Sequence, residues 1–198
     1  MSNKNVTTEN KDLAKYITTI VGVDRTVQRY WDDEKNNFLD IFTCDDPIDS
    51  NVKFYGTIGL SDYSNEIKMN DGSLKNVPIE FLMTGYKTFD KVPNIISTCG
   101  FYLRKNKWEC QPGSVFKSMV EMYYKETNMK HILFTAPYLW EEKLVPLVLE
   151  TKTVNWLLGV PISDSELNYR NEHGVSALED LFEKNEVDIF DLNRKSVL

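Results

Sequence analysis

Two serines, each three residues ahead of a glutamate and set on either side of a glycine, constrain the last forty residues more tightly than any other feature. Ser163 and Glu166 form an S-x-x-E capping box, which predicts a helix from Asp164 with two otherwise orphan backbone groups satisfied reciprocally. Ile162 and Leu167 occupy the two positions of a hydrophobic staple. Gly174 predicts the stop, because a left-handed helix end costs glycine little. Ser176 and Glu179 repeat the box, and Ala177, Leu178, Leu181 and Phe182 give the following helix an apolar stripe. Val187-Asp-Ile-Phe-Asp-Leu192 then reads as a short strand.

Upstream, apolar spacing predicts a helix over Glu9–Val21 with Leu13, Ile17 and Ile20 on one face and Gly22 as its stop. Residues 27–31 and 38–42 read as a hairpin, and 52–60 as a third strand whose Gly56 and Gly59 imply a bulge or a close backbone approach. Asn70-Asp-Gly72 is a turn, and Val77–Thr84 is apolar enough for a central strand. A helix is expected after Pro93 through Leu103, a turn at Pro112-Gly113, and a second helix over Val115–Tyr124 with Phe116, Met119, Val120 and Tyr123 inward. Residues 131–135 and 152–158 read as strands. Antiparallel-type strands with segregated helices predict an α+β fold, a mixed and mostly antiparallel sheet flanked by helices. Residues 1–9 are expected to be a flexible start and 10–198 one domain, with no repeat or dividing linker.

The chain has 198 residues, 41% of them hydrophobic and 12% aromatic, enough for a real core. No apolar run reaches the roughly 18 residues of a membrane span, and the N-terminus lacks a signal-peptide core, so the expected location is cytoplasmic. Net charge is −7, and residues 161–198 hold nine acidic against four basic side chains, an excess of five. Such a surface repels phosphate backbones and attracts a basic partner. The same residues also read as a solvated, solubilising helix face.

Sites of catalysis are not legible. His131 opens an apolar run, where a histidine more often satisfies a backbone group than acts as a base. His173 suits the negative end of a helix. Cys44-Asp-Asp-Pro-Ile-Asp49 lacks EF-hand spacing and reads as an Asp/Pro turn. Residues 56–61 lack the lysine of a phosphate loop. Cys44, Cys99 and Cys110 have no paired spacing and read as reduced, partly buried small hydrophobes. The expectation is a chain without cofactor, metal or catalytic residues that works by binding. Two places join an aromatic anchor to negative charge: Trp31 with Asp32, Asp33 and Glu34, and Tyr138 and Trp140 with Glu141 and Glu142. Glu179, Asp180 and Glu183 in the acidic tail complete the candidate partner surface.

The segment Val160-Pro-Ile-Ser-Asp-Ser-Glu-Leu167, the two capped helices and Asp191-Leu-Asn-Arg-Lys-Ser196 resemble the end of the suppressor-of-fused domain. Phe54-Tyr-Gly-Thr-Ile-Gly-Leu-Ser-Asp62, Pro78-Ile-Glu-Phe-Leu-Met83, Val92–Gly100, Gln111-Pro-Gly113 and His131–Trp140 follow that family's order. The resemblance spans about residues 10–198, and the single-domain length points to the bacterial branch, similar to YqcF-type antitoxins paired with LXG-type toxins. It implies a non-enzymatic immunity protein that binds a cognate toxin with a basic surface. A nuclease is the toxin class that the acidic charge would suit. Direct nucleic-acid and membrane binding are not expected. The alternatives are an adaptor that sequesters a transcription factor, as in the animal relatives, or a small hydrolase using His131 with Cys99, Cys110, or Asp45 and Asp46.

Overall fold

The structure is a computed structural model and describes residues 6–106, 108–140 and 142–198. In chain order it forms α1 (Thr8–Ile20), β1 (Val23–Trp31), β2 (Phe38–Asp45), β3 (Val52–Ile58), β4 (Glu66–Lys68), β5 (Leu74–Asn76), β6 (Ile79–Tyr86), α2 (Val92–Asn106), β7 (Val115–Phe116), β8 (His131–Thr135), β9 (Leu147–Val148), β10 (Thr153–Ile162), α3 (Asp164–His173) and α4 (Val175–Lys184). The main sheet runs β1-β2-β3-β6-β10-β8-β7, with β9 paired to the start of β10, while β4 and β5 form a separate hairpin. All its pairings are antiparallel except β6 with β10. The fold is therefore α+β with a mixed sheet.

Period-two alternation divides the core between the two faces of this sheet. Leu39, Ile41, Tyr55, Phe81 and Met83 face one way and pack with Ile95, Ile96 and Cys99 of α2. Phe42, Phe54, Leu82 and Leu158 face the other way and meet Leu13 and Ile17 of α1, Leu167 of α3 and Leu178 of α4. Covered on both faces, β6 and β10 read as near-continuous apolar runs. Gly56 is required by a close approach, since a Cβ there would lie 2.2 Å from Cε1 of Phe42.

Helix α3 starts as its capping box dictates. Ser163 Oγ accepts from the Glu166 N–H at 3.2 Å, and Glu166 Oε2 accepts from the Ser163 N–H at 3.0 Å. The second box does not form. Helix α4 begins two residues earlier than that box implies, at Val175, behind Gly174 at φ +91°, and has no side-chain cap. Glu179 instead accepts from Thr135 Oγ1 at 2.6 Å, a tertiary hydrogen bond that draws it away from the backbone. Ser163→Ala should therefore cost about 1 kcal/mol, the usual loss of an N-cap. Ser176→Ala should stay within about 0.5 kcal/mol of wild type, as exposed substitutions do. Denaturant unfolding of the two variants checks the difference, and equal losses would contradict it.

Two other expectations are corrected. Residues 115–124 are not a helix: after the two-residue β7 the chain turns, with Ser118 at φ +59°. The Ser118 N–H donates to Nδ1 of His131 at 2.9 Å, and Met119 and Val120 are buried from turns. Residues 187–192 are not a strand either. Asp188 Oδ1 accepts from the Phe190 N–H and Asp191 Oδ1 from the Asn193 N–H, Asx turns that compete with extended pairing.

Two buried carboxylates hold this framework. Glu80 of β6, fully buried, accepts from Thr57 Oγ1 (2.6 Å), Ser61 Oγ (2.8 Å) and the backbone N–H groups of Gly59, Leu60 and Ser61. It thereby ties the turn after β3 to the sheet centre. Glu166, also fully buried, receives both Nη groups of Arg194 at 2.6 and 2.8 Å, and Arg194 donates further to the Pro161 carbonyl at 3.0 Å. The Val197 N–H completes the clamp, which fastens the C-terminal segment beneath α3.

Candidate functional site

Of the candidate partner residues, Trp31, Asp32 and Asp33 line one cleft, on the α2 face beside β1, and Tyr138, Glu179 and Glu183 line another, on the α4 face beside β8. At the β1 edge, Trp31 ends the strand, 51% exposed, with its ring edge-on to Phe38 at 5.3 Å. Asp32 beside it is buried. Its Oδ1 accepts from the Asn36 and Asn37 N–H groups, and its Oδ2 from Asn37 Nδ2 and from Lys105 Nζ at 2.6 Å. The Lys105 ammonium holds this carboxyl well below the usual carboxylate range. Asp32 thus closes the β1–β2 hairpin, and its charge is taken up within the chain. Trp31 and the exposed Asp33 remain on the rim of a cleft of about 500 Å³ against α2.

The second cleft lies between α4 and the end of β8. The three-residue turn Tyr138–Trp140 after β8 gives its two aromatic residues different surroundings. Tyr138 is 42% exposed, whereas Trp140 is 9% exposed and packs edge-on against Phe54 at 5.1 Å. Trp140 is therefore a core residue and offers no surface anchor. Glu142 is exposed, and Glu141 lies outside the described residues. Tyr138, Glu179 and Glu183 converge on a cleft of about 560 Å³ whose floor is Leu133, Val160, Phe182 and Ile189. Glu186 joins the same rim, while Asp180 is exposed one residue along α4 from Glu179. Among the described residues, no lysine or arginine is ion-paired with Glu179, Asp180, Glu183 or Glu186, and the last three are exposed while Glu179 is half-buried.

The histidines and cysteines are accounted for by packing. His131 is buried, and because Nδ1 accepts from the Ser118 N–H, its proton sits on Nε2 and is donated to Asp164 Oδ1 at 3.0 Å. Its partners are neither a cysteine nor Asp45, which pairs with Lys53 and Lys87. Asp46 caps the following turn through the Ile48 and Asp49 N–H groups. Burial pushes the thiol of Cys44 up to about 12 and those of Cys99 and Cys110 higher still, which makes all three poor nucleophiles. His173 packs against Tyr169 in the last turn of α3, the rings tilted by 38° with centres 4.3 Å apart. Among the described residues, no group of three or more His, Cys, Asp or Glu side chains gathers as a metal site, and no helix is long and apolar enough to cross a membrane.

Three features escaped the sequence reading: the Glu80 nest, the Glu166–Arg194 clamp and the apolar floor under α4. The first two lie inside the quoted Pro78–Met83 and Asp191–Ser196 segments, but their partners are 19 to 28 residues away in sequence.

A mixed sheet covered on both faces, with its C-terminal segment clamped beneath α3, places the chain in a known class of α+β domain. The family model for "Suppressor of fused protein (SUFU)" matches residues 35–195, and the chain belongs to this family. It is 40% identical over 193 residues to the immunity protein YqcF of Bacillus subtilis strain 168, covering 98% of this chain and 99% of that one. Among solved structures, a suppressor-of-fused homologue from Neisseria gonorrhoeae FA 1090 superposes with a TM-score of 0.67 at 16% identity, covering 95% of this chain and 93% of the other. Sufu in a Sufu–Fu complex superposes with a TM-score of 0.61 at 12% identity, covering 97% of this chain and 91% of the other. At such identities these two likenesses concern the fold.

Proposed function

We propose that this chain is an immunity protein that neutralises a toxin by binding it directly, without catalysis, in the cytoplasm. The observation that carries this reading is the 40% identity to an immunity protein along nearly the full length of both chains. The geometry supports it. The candidate base, His131, is held between a backbone N–H and Asp164, and the thiols are buried. What remains exposed is an acidic helix beside an aromatic residue, a combination suited to recognition. Unpaired carboxylates on α4 suit a basic target, and a nuclease toxin, whose active cleft must attract phosphate, is the class that fits this charge best.

The test is co-expression with a toxin domain from a reading frame that neighbours the gene of this chain. Growth should be restored, and a 1:1 complex should be recovered from the lysate. A folded His131→Gln variant should protect as well as wild type. Failure of the wild-type chain to bind or protect would overturn the reading, and loss of protection by folded His131→Gln would overturn its non-catalytic part.

A further inference from the structure

We infer that the α4–β8 cleft is the socket for a basic side chain, an arginine or lysine projecting from the toxin surface. This rests on the immunity reading and adds to it the contact point and the chemistry of the occupant. The cleft is apolar in its depth and acidic at its mouth. Phe182 and Ile189 form the floor, with Tyr138 as one wall and Glu179, Glu183 and Glu186 around the rim. A purely apolar side chain would fill the floor but leave three carboxylates desolvated by the approaching partner. A small cation would pair with the rim but leave the floor wet. Arginine and lysine meet both requirements, because their stems bury along apolar surface while the charged head remains at the polar margin. At about 560 Å³ the space accommodates a long side chain together with the backbone that carries it.

Phe182 already meets one guanidinium from within the chain, that of Arg194, which does not itself line the cleft. The Arg194 guanidinium lies 5.3 Å from the centre of the Phe182 ring, and its charge is neutralised by Glu166. The incoming head therefore meets net negative charge. Glu179 is also oriented in advance, since Thr135 Oγ1 donates to its Oε1 at 2.6 Å. One carboxylate of the rim is thus held in place before the partner arrives, which reduces the ordering cost of binding.

The experiment measures affinity for the cognate toxin domain with three variants. Glu183→Arg reverses the rim charge, and Ala136→Trp plugs the mouth of the cleft without changing charge, both at exposed positions. Glu172→Arg makes the same charge change at an exposed position of α3, outside the cleft lining. Glu183→Arg and Ala136→Trp should each weaken binding by about tenfold or more, the scale of a central interface contact. Glu172→Arg should change it less than about threefold, as a peripheral charge does. Unfolding midpoints close to wild type confirm that the variants are folded. Equal effects of Glu183→Arg and Glu172→Arg, or normal binding by Ala136→Trp, would overturn the socket while leaving the immunity reading intact. If the wild-type chain fails to bind the toxin, both fall together.

Discussion

Arg194→Leu is expected to destabilise the fold by about 3–5 kcal/mol, the range found when one partner of a buried ion pair is removed. Arg194 is 8% exposed and Glu166 is fully buried, so water cannot replace the lost guanidinium. The loss reaches beyond the pair. Glu166 occupies the third helical position of α3, where its carboxylate also completes the capping box, and it holds the Val197 N–H at 3.1 Å. The segment that the clamp fastens supplies Ile189 to the α4 cleft, and the Phe190 carbonyl accepts from the Tyr86 N–H at 3.0 Å. A variant with both Glu166→Leu and Arg194→Leu should lose less than the sum of the single variants, because neither charge is then left buried alone. Urea unfolding of the three proteins checks this. A loss under about 1 kcal/mol for Arg194→Leu would show that the clamp is not what holds the C-terminus.

The second large effect is expected at Glu80. Glu80→Ala removes the acceptor of three backbone N–H groups and two hydroxyls at the sheet centre. Each buried donor left unsatisfied costs about 1–3 kcal/mol, so a loss of roughly 3–5 kcal/mol is expected after partial relaxation. A pH signature separates the charge from the shape. Burial pushes the Glu80 carboxyl up from 4.5 to about 7, against the opposing pull of its donors. The native state then binds the proton more tightly than the unfolded chain does. The resulting stabilisation is fully present below about pH 4.5 and is lost as pH rises through about 7. Relative to Glu80→Gln, which does not titrate, wild-type stability should decline across that window. A constant difference between the two proteins from about pH 4.5 to about 7 would contradict it.

The sequence was most legible where structure is local. The Ser163–Glu166 box spans four residues and needs nothing from elsewhere, and it forms as expected. The strands over 27–31, 38–42 and 77–84 were visible from their alternation or apolar runs, although each is longer or shifted in the fold. The errors arise where a distant group intervenes. Thr135 captures Glu179 from the second box, and His131 captures the Ser118 N–H within a segment whose apolar spacing suits a helix. The candidate surface shows the same limit. Aromatic and acidic residues could be picked out, but only the fold shows Trp140 turning into the core and Asp32 closing a hairpin. Likewise, Tyr138, Glu179 and Glu183 line one cleft only because the fold brings the end of β8 to α4.

The central claim, recognition of a basic toxin by the acidic α4 face, is tested most directly by association kinetics at low and high salt. The proteins are the wild-type chain and a variant carrying Glu179→Gln, Asp180→Asn and Glu183→Gln. The first of these substitutions removes the charge but keeps a side-chain oxygen to accept from Thr135. Exposed charges act on the encounter and are screened beyond about 8 Å at physiological ionic strength. The wild-type on-rate should fall as salt rises. The triple variant should associate several-fold more slowly at low salt, and the gap should narrow at high salt while dissociation changes less. A wild-type on-rate indifferent to salt, with the variant associating normally, would mean that α4 is a solubilising face and that the toxin is bound elsewhere.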